Sequence, residues 1–439
     1  MTNAIAILPQ DTDLEEQSLN RIYSKITWRL IPFLAVLWIL AWLDRVNIGY
    51  AKLQMLDDLA FSEAVYGLGA GIFFLGYFFF EVPSNLLLEK IGAKKTLMRI
   101  TIGWGLICIA QMFVKSPEAF YVLRFLLGVC EAGFYPGIIL YLTYWYPTIR
   151  RARAFGLFMS ASAIAGVVGG PLAGLIMTSL HRVNGLSGWQ WLFLLEGIPS
   201  VIAGIATYFY LTDKPSQAKW LTSLEKQKVQ NDVERDQRML GARDHSIGAA
   251  LRNPKIWALV LIFFCIIAAN SSLTFFAPTL VKMLGYTSTM QIGWIMSGIY
   301  LLGALGMIMN GRHSDRTKEE RLHCGVAAFV GSVGLALVAL FSDAPTISLL
   351  ALTVAVVGTM SAIPVFWQLP NLYLSGTAAA AGIAMINSIA NLAGLGAPWM
   401  LGVIKTNTGS FVSGLWIISA VEALAFLFIL LFIDKRKPS

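Results

Sequence analysis

A chain of 439 residues with 56% hydrophobic and only 13% charged positions lies far below the roughly 25% charged content of soluble domains. Apolar stretches of about 20 residues recur along its whole length, which predicts a polytopic helical membrane protein and leaves no room for an extended water-soluble domain. The net charge of +8 does not point to nucleic acid, because the basic residues fall in short loops between apolar spans rather than on one polar face.

In chain order, residues 1–25 are polar and partly acidic ("DTDLEEQ"). They have neither the basic start nor the cleavage pattern of a signal peptide, so the first span is expected to serve as an uncleaved signal. Twelve apolar segments follow, near 28–48, 65–88, 96–114, 118–140, 152–178, 189–211, 255–283, 288–309, 323–341, 345–368, 376–404 and 411–433. The longest polar stretch, Thr212–Asn253, separates the sixth from the seventh and reads as a linker with some amphipathic helix. The expected organisation is an N-terminal segment (1–25), a six-helix bundle (26–211), the linker (212–253), a second six-helix bundle (254–434) and a tail (435–439).

Lysine and arginine set the orientation. Arg21, Lys25 and Arg29, Lys90, Lys94, Lys95 and Arg99, Arg150, Arg151 and Arg153, the linker, Arg312, Arg316, Lys318 and Arg321, and Lys435, Arg436 and Lys437 all fall on one side. The other side holds only Lys52, Lys115, Arg182, Lys282 and Lys405. Both termini and the linker are therefore expected in the cytoplasm.

Cys108, Cys130, Cys265 and Cys324 lie in or beside apolar spans without metal spacing and read as small packing residues. No cofactor or metal is expected. His181, His245, His313 and His323 fall in loops or at span ends. None is placed as a mid-membrane proton relay, so coupling would fall to carboxylates.

Among the ionisable residues inside spans four stand out: Asp44 and Arg45 in the first, Arg124 and Glu131 in the fourth. Such residues are costly in a bilayer and usually face a cavity. At about 1.5 Å per residue, Asp44 and Arg124 reach similar depths in the outer half, and Glu131 lies close to two turns beyond Arg124 on the same side. The four are expected to converge. Two arginines then balance two carboxylates. Carboxylates at low dielectric can take up protons near neutral pH. Protonating Asp44 and Glu131 would free two guanidinium groups for a visiting carboxylate, which they can hold through paired hydrogen bonds.

The C-terminal half carries no Arg or Asp inside its spans and offers amides and aromatics instead: Asn270, Phe275 and Phe276, then Trp367 and Gln368, then Asn387 and Asn391, four apart on one helix face. These are expected to meet substrate hydroxyls or a second carboxylate, or to bond between helices. Glu81 in "FEVPSN" is expected near the inner end, in a structural or gating role, and Glu196 and Glu422 are weaker cases of the same kind. "GVVGGPLAG" (Gly166–Gly174) reads chiefly as a packing stripe.

The loop "NLLLEKIGAKK" (Asn85–Lys95) has a weaker partner half a chain later in "GRHSDRTKEER" (Gly311–Arg321), which aligns Glu89–Lys90 with Asp315–Arg316 and predicts two parallel six-helix halves. The first loop resembles the signature of the major facilitator superfamily, with Asn85 where that signature usually has Gly. Glu89, Lys90, Asp315 and Arg316 would act as a conformational latch. "WLDRVNIGYA", "GAGIFFLGYFFFEVPSNLLLEKIGAKK", "VLRFLLGVCEAGFYPGIILYLTYWYP" and "GWQWLFLLEGIPS" resemble the superfamily's anion:cation symporter family, and within it the tartrate and phthalate permease branch. The resemblance covers nearly the whole chain. It implies an all-α membrane fold of twelve helices in two pseudo-two-fold bundles. It also implies proton-coupling roles for Asp44 and Glu131, and substrate contacts for Arg45, Arg124 and Tyr77.

The expected function is proton-coupled uptake of a small organic anion by alternating access, by a monomer that is not an enzyme. A hydroxy dicarboxylate such as tartrate, or a sugar acid, suits two arginines and several amides. The aromatics leave an aromatic acid open. A drug/proton antiporter would want few fixed cations, and a sensor would bind without flux.

Overall fold

The computed structural model describes residues 9–239, 253–373 and 377–434. The tail 435–439 with Lys435, Arg436 and Lys437, the linker stretch 240–252 with His245, and residues 1–8 lie outside them. Sixteen α-helices are described: α1 (Pro9–Leu59), α2 (Glu63–Ile91), α3 (Ala93–Ala110), α4 (Pro117–Glu131), α5 (Phe134–Trp145), α6 (Thr148–Met159), α7 (Ala161–Ser179), α8 (Gly188–Tyr210), α9 (Ser223–Met239), α10 (Pro254–Met283), α11 (Thr289–Thr317), α12 (Glu320–Leu340), α13 (Pro345–Phe366), α14 (Thr377–Asn391), α15 (Ala393–Thr408) and α16 (Val412–Phe432).

Helix starts are written locally. Ser62 accepts from Val65 N, Ser116 accepts from Ala119 N just ahead of Pro117, and Asn253 accepts from Lys255 N just ahead of Pro254. Each satisfies a first-turn N–H that the helix itself leaves unpaired. Three predicted spans are broken, the fifth at Ser160 between α6 and α7. The fourth divides between α4 and α5 at Gly133, whose φ of 84° is left-handed and whose added Cβ would lie 2.6 Å from Ser84. Only glycine takes both conditions without strain. The eleventh divides at Leu392 into α14 and α15, and among the described residues eleven segments are by themselves long and apolar enough to cross a membrane.

Large side chains such as Trp28, Phe79, Phe209, Trp294 and Leu350 stand exposed around the bundle, which is the pattern of a surface solvated by lipid. The linker helix α9 buries Val229 and Val233 and is tied to α1. Tyr23 donates to Asp232 at 2.7 Å, and Lys25 pairs with Glu225 at 3.0 Å. Backbone hydrogen bonding at Thr222, supported by Lys25, holds the Glu225 carboxyl below its usual range.

The halves meet in backbone contact at the end away from the linker. α2 crosses α15, where Gly67 and Gly71 face Pro398 and Leu395. α7 crosses α11, where Gly170 and Gly293 face each other's carbonyls, and a Cβ on Gly174 would lie 2.9 Å from Thr289 O. Small residues allow helices this approach, as the Gly166–Gly174 stretch suggests. Leucine at Gly170 is therefore expected to overpack the crossing by about 1–3 kcal/mol. That would shift the balance between end-closed and end-open states by about 5- to 150-fold. Spin labels on Ser179 and Thr289 would read this as a longer distance, and an unchanged distance distribution would refute it.

Candidate functional site

A cavity of about 240 Å³ lies between the halves on the linker side of these crossings. Nine aromatic residues line it: Trp38, Trp42, Phe73, Phe74, Tyr77 and Tyr135 from one half, Phe275, Tyr300 and Trp367 from the other. Its polar groups are sparse, namely Arg45 and Ser162 on one side and Asn270, Ser271, Thr274, Asn387 and Asn391 on the other. An apolar recess with a few converging polar groups is the usual form of a small-molecule site.

Arg45 is the cation on the wall among the described residues. Its Nη2 pairs with Glu131, whose side chain is 3% exposed against 20% for Arg45. Glu131 thus sits behind the arginine, away from the cavity. The guanidinium lies 5.2 Å from the Phe73 ring centre and 5.8 Å from that of Tyr77, within cation–π range. Arg45 Nε is buried without a hydrogen-bond partner, while the residue as a whole lines the cavity. A guanidinium edge at a cavity wall can take a carboxylate from the open side.

The other two charges of the expected quartet do not join it. Arg124 is fully buried and donates to backbone, Nε to Gly69 O at 3.2 Å and Nη2 to Ala70 O at 3.4 Å, while its Nη1 is buried without a partner. Phe73 separates it from the cavity, its ring centre 5.4 Å from Arg124 Cζ. Asp44 accepts from Ser200 Oγ at 2.5 Å and Cys108 Sγ at 3.1 Å, inside the bundle between α1, α3 and α8. Among the described residues it pairs with no base. The reason is helical pitch: neighbours on a helix diverge by about 100°, so Arg45 and Asp44 cannot both face the cavity.

Composition reasoning underrated the residues around Asp44. Ser200 and Cys108 are its direct partners, Asn47 donates to Cys108 at 3.5 Å, and Glu196 is buried one turn before Ser200 with Oε2 unpartnered. The usable signal was the spacing of Glu196 and Ser200, four apart and so on one face of α8.

In the other half, Phe275, Trp367, Asn387 and Asn391 reach the cavity as expected. Asn387 also donates to Glu81 at 3.2 Å, and Ser388 donates to it at 3.0 Å, so Glu81 joins the halves on the linker side. Gln368 is placed otherwise than expected. α13 ends at Phe366, and Gln368 in the following turn donates to Asp315 at 3.1 Å rather than lining the cavity. Glu89, Lys90, Asp315 and Arg316 are exposed and form no ion pair among the described residues. Any latch they make is undone in this conformation.

Twelve crossings in two six-helix bundles around a central, sparsely polar cavity define a multi-pass membrane transporter. The chain belongs to the Major Facilitator Superfamily, whose sequence model matches residues 34–398. It is 47% identical to the "Putative metabolite transport protein NicT" of Pseudomonas putida, over 90% of this chain and 91% of that one. It is 45% identical to a "Putative tartrate transporter" of Agrobacterium vitis, over 91% and 89%. It is 37% identical to the "Inner membrane transport protein RhmT" of Escherichia coli, over 94% and 95%. The partially occluded, inward-open xylose transporter XylE of E. coli is similar in fold, with a TM-score of 0.75 at 14% identity, over 93% of this chain and 98% of that one.

Proposed function

We propose that this transporter is a proton-coupled symporter importing a small organic carboxylate. One observation carries the reading: the cavity-wall cation, Arg45, is neutralised from behind by the buried acid Glu131. A proton on Glu131 removes the arginine's internal partner and leaves the guanidinium to the visiting carboxylate. A carboxylate on Arg45 in turn favours the protonated form of Glu131. Each ligand raises the affinity for the other, as reciprocal coupling requires. Asp44 serves as a second proton site, removed from the substrate.

A hydroxy dicarboxylate such as tartrate, or a sugar acid, is the preferred cargo. One carboxylate would meet Arg45, and hydroxyls would meet Asn270, Asn387 and Asn391 across the cavity. The naming of the Agrobacterium vitis relative supports this choice. The aromatic wall supports an aromatic acid as the second reading. The linker end is taken as cytoplasmic from its Lys and Arg excess, which makes this conformation inward-facing. The protein is taken to act as a monomer in a bacterial inner membrane, in line with the naming of the E. coli relative.

Thermal unfolding of the purified protein against panels of hydroxy acids, sugar acids and aromatic acids, at acid and neutral pH, tests the reading. The expected result is stabilisation by one carboxylate class, stronger in acid, together with its uptake into proteoliposomes under an inward proton gradient. Stabilisation without uptake would favour a sensor, and acid-stimulated efflux of an apolar cation would favour an antiporter.

A further inference from the structure

At the closed end a second cation is hidden on the same path. Lys52 is 3% exposed, and its ammonium lies 2.6 Å from the Glu63 carboxylate. Three aromatic rings surround it, with centres 4.6 Å away at Tyr66, 4.2 Å at Phe276 and 5.4 Å at Phe411. Tyr66 and Glu63 come from α2, in the same half as Lys52. Phe276, in α10, and Phe411, just before α16, come from the other half. Tyr66 further donates to Phe275 O at 2.8 Å across the same boundary.

Lys52 follows Arg45 by seven residues on α1, so it projects from the same face about 10 Å nearer the closed mouth. Phe275 lines the cavity, and the adjacent Phe276 walls the ammonium. The caged lysine therefore lies between the cavity and that mouth. When the halves part at this end, Phe276 and Phe411 withdraw with theirs. Lys52 then keeps only Glu63 and Tyr66, and its ammonium faces the opened passage.

We infer that Lys52 is a carboxylate-docking site at the mouth, covered by Phe276 and Phe411 while the mouth is closed and offered, with Glu63 still beside it, to the incoming anion when it opens. Two neighbouring ammonium groups add positive charge. Lys282 donates to Leu53 O at 2.8 Å and is offset in part by the exposed Asp57 carboxylate 3.8 Å away, and Lys405 lies 5.2 Å from the Phe411 ring centre. The anion would pass from Lys52 to Arg45, from one exposed cation to a better enclosed one. This rests on the proposal that the cargo is a carboxylate.

The test compares Lys52→Met and Lys52→Arg in proteoliposomes whose protein orientation has been measured, with the carboxylate found by the thermal screen as probe. Lys52→Met is expected to raise the KM measured from the mouth side by about fivefold, the scale of one exposed ion pair. It should also flatten the salt dependence of that KM, and Lys52→Arg should restore both. Affinity measured from the linker side should not move, because the cavity there does not include Lys52. Opposite changes in affinity on the two sides would mean that Lys52 only clasps the mouth shut, and would overturn the docking role. An unchanged mouth-side KM would also overturn it while leaving carboxylate transport intact. Failure of the wild-type protein to move any carboxylate would instead remove the reading on which the site rests.

Discussion

Replacing Arg45 by lysine is expected to cut transport efficiency by about a hundredfold, although the charge is kept. Arginine presents a planar fork that can keep a hydrogen bond to the protonated Glu131 on one edge while a substrate carboxylate takes another, whereas lysine is a point charge on a flexible stem. Arg45 also lies between Glu131 and the rings of Phe73 and Tyr77, so its plane is fixed by what it packs against. A lysine there would satisfy Glu131 and have no rigid second edge to offer. Initial uptake rates over a range of substrate concentrations check this, with thermal stability in the absence of substrate as the folding control. Retention of more than half the wild-type efficiency would remove Arg45 as the substrate's cation.

Asp44→Asn is expected to abolish accumulation driven by a proton gradient while substrate exchange across the membrane continues. The amide oxygen can keep the Ser200 hydroxyl bond, and the amide NH2 then faces Cys108, whose sulfur can accept in place of donating, so the side chain stays the same size with partners at both ends. What is lost is the ability to gain and lose a proton. Burying a carboxylate without a cation is costly, and Asp44 lies beside the equally buried Glu196 with no basic partner among the described residues. Proton arrival and departure therefore change the energy of this place substantially, and through the α1 backbone they reach the neighbouring residue, Arg45. Uptake by the variant should lose its dependence on external acid. Accumulation at wild-type levels under a proton gradient would take Asp44 out of the coupling scheme.

How much of the site was legible follows from helix geometry at particular residues. Arg45 and Glu131 could be named from the sequence, among four charges expected to converge, because each is an ionisable residue inside an apolar span and such residues seek partners. Phe275, Trp367, Asn387 and Asn391 could be proposed because they are the polar and aromatic residues of their spans, and the structure places them on the cavity. Asp44 could not be assigned to the bundle interior, because the turn that separates it from Arg45 matters only once the positions of α3 and α8 are known. Arg124 could not be seen to sit behind Phe73, since depth along a helix says nothing of what stands in front of a side chain. The docking of Glu81 against Asn387 and Ser388 joins residues from opposite halves, and no local pattern reports that.

By itself, then, the sequence determined the membrane class, the spans, the two-half organisation and the identity of the charged residues within the spans. These follow from the cost of bringing polar groups to lipid depth, which acts on each segment separately. Only the tertiary structure decided which of those charges meet, which one faces the cavity, and which end is shut. Those outcomes depend on how far apart in the chain the packed faces lie, as where Gly170 meets Gly293 and Lys52 meets Phe276 and Phe411.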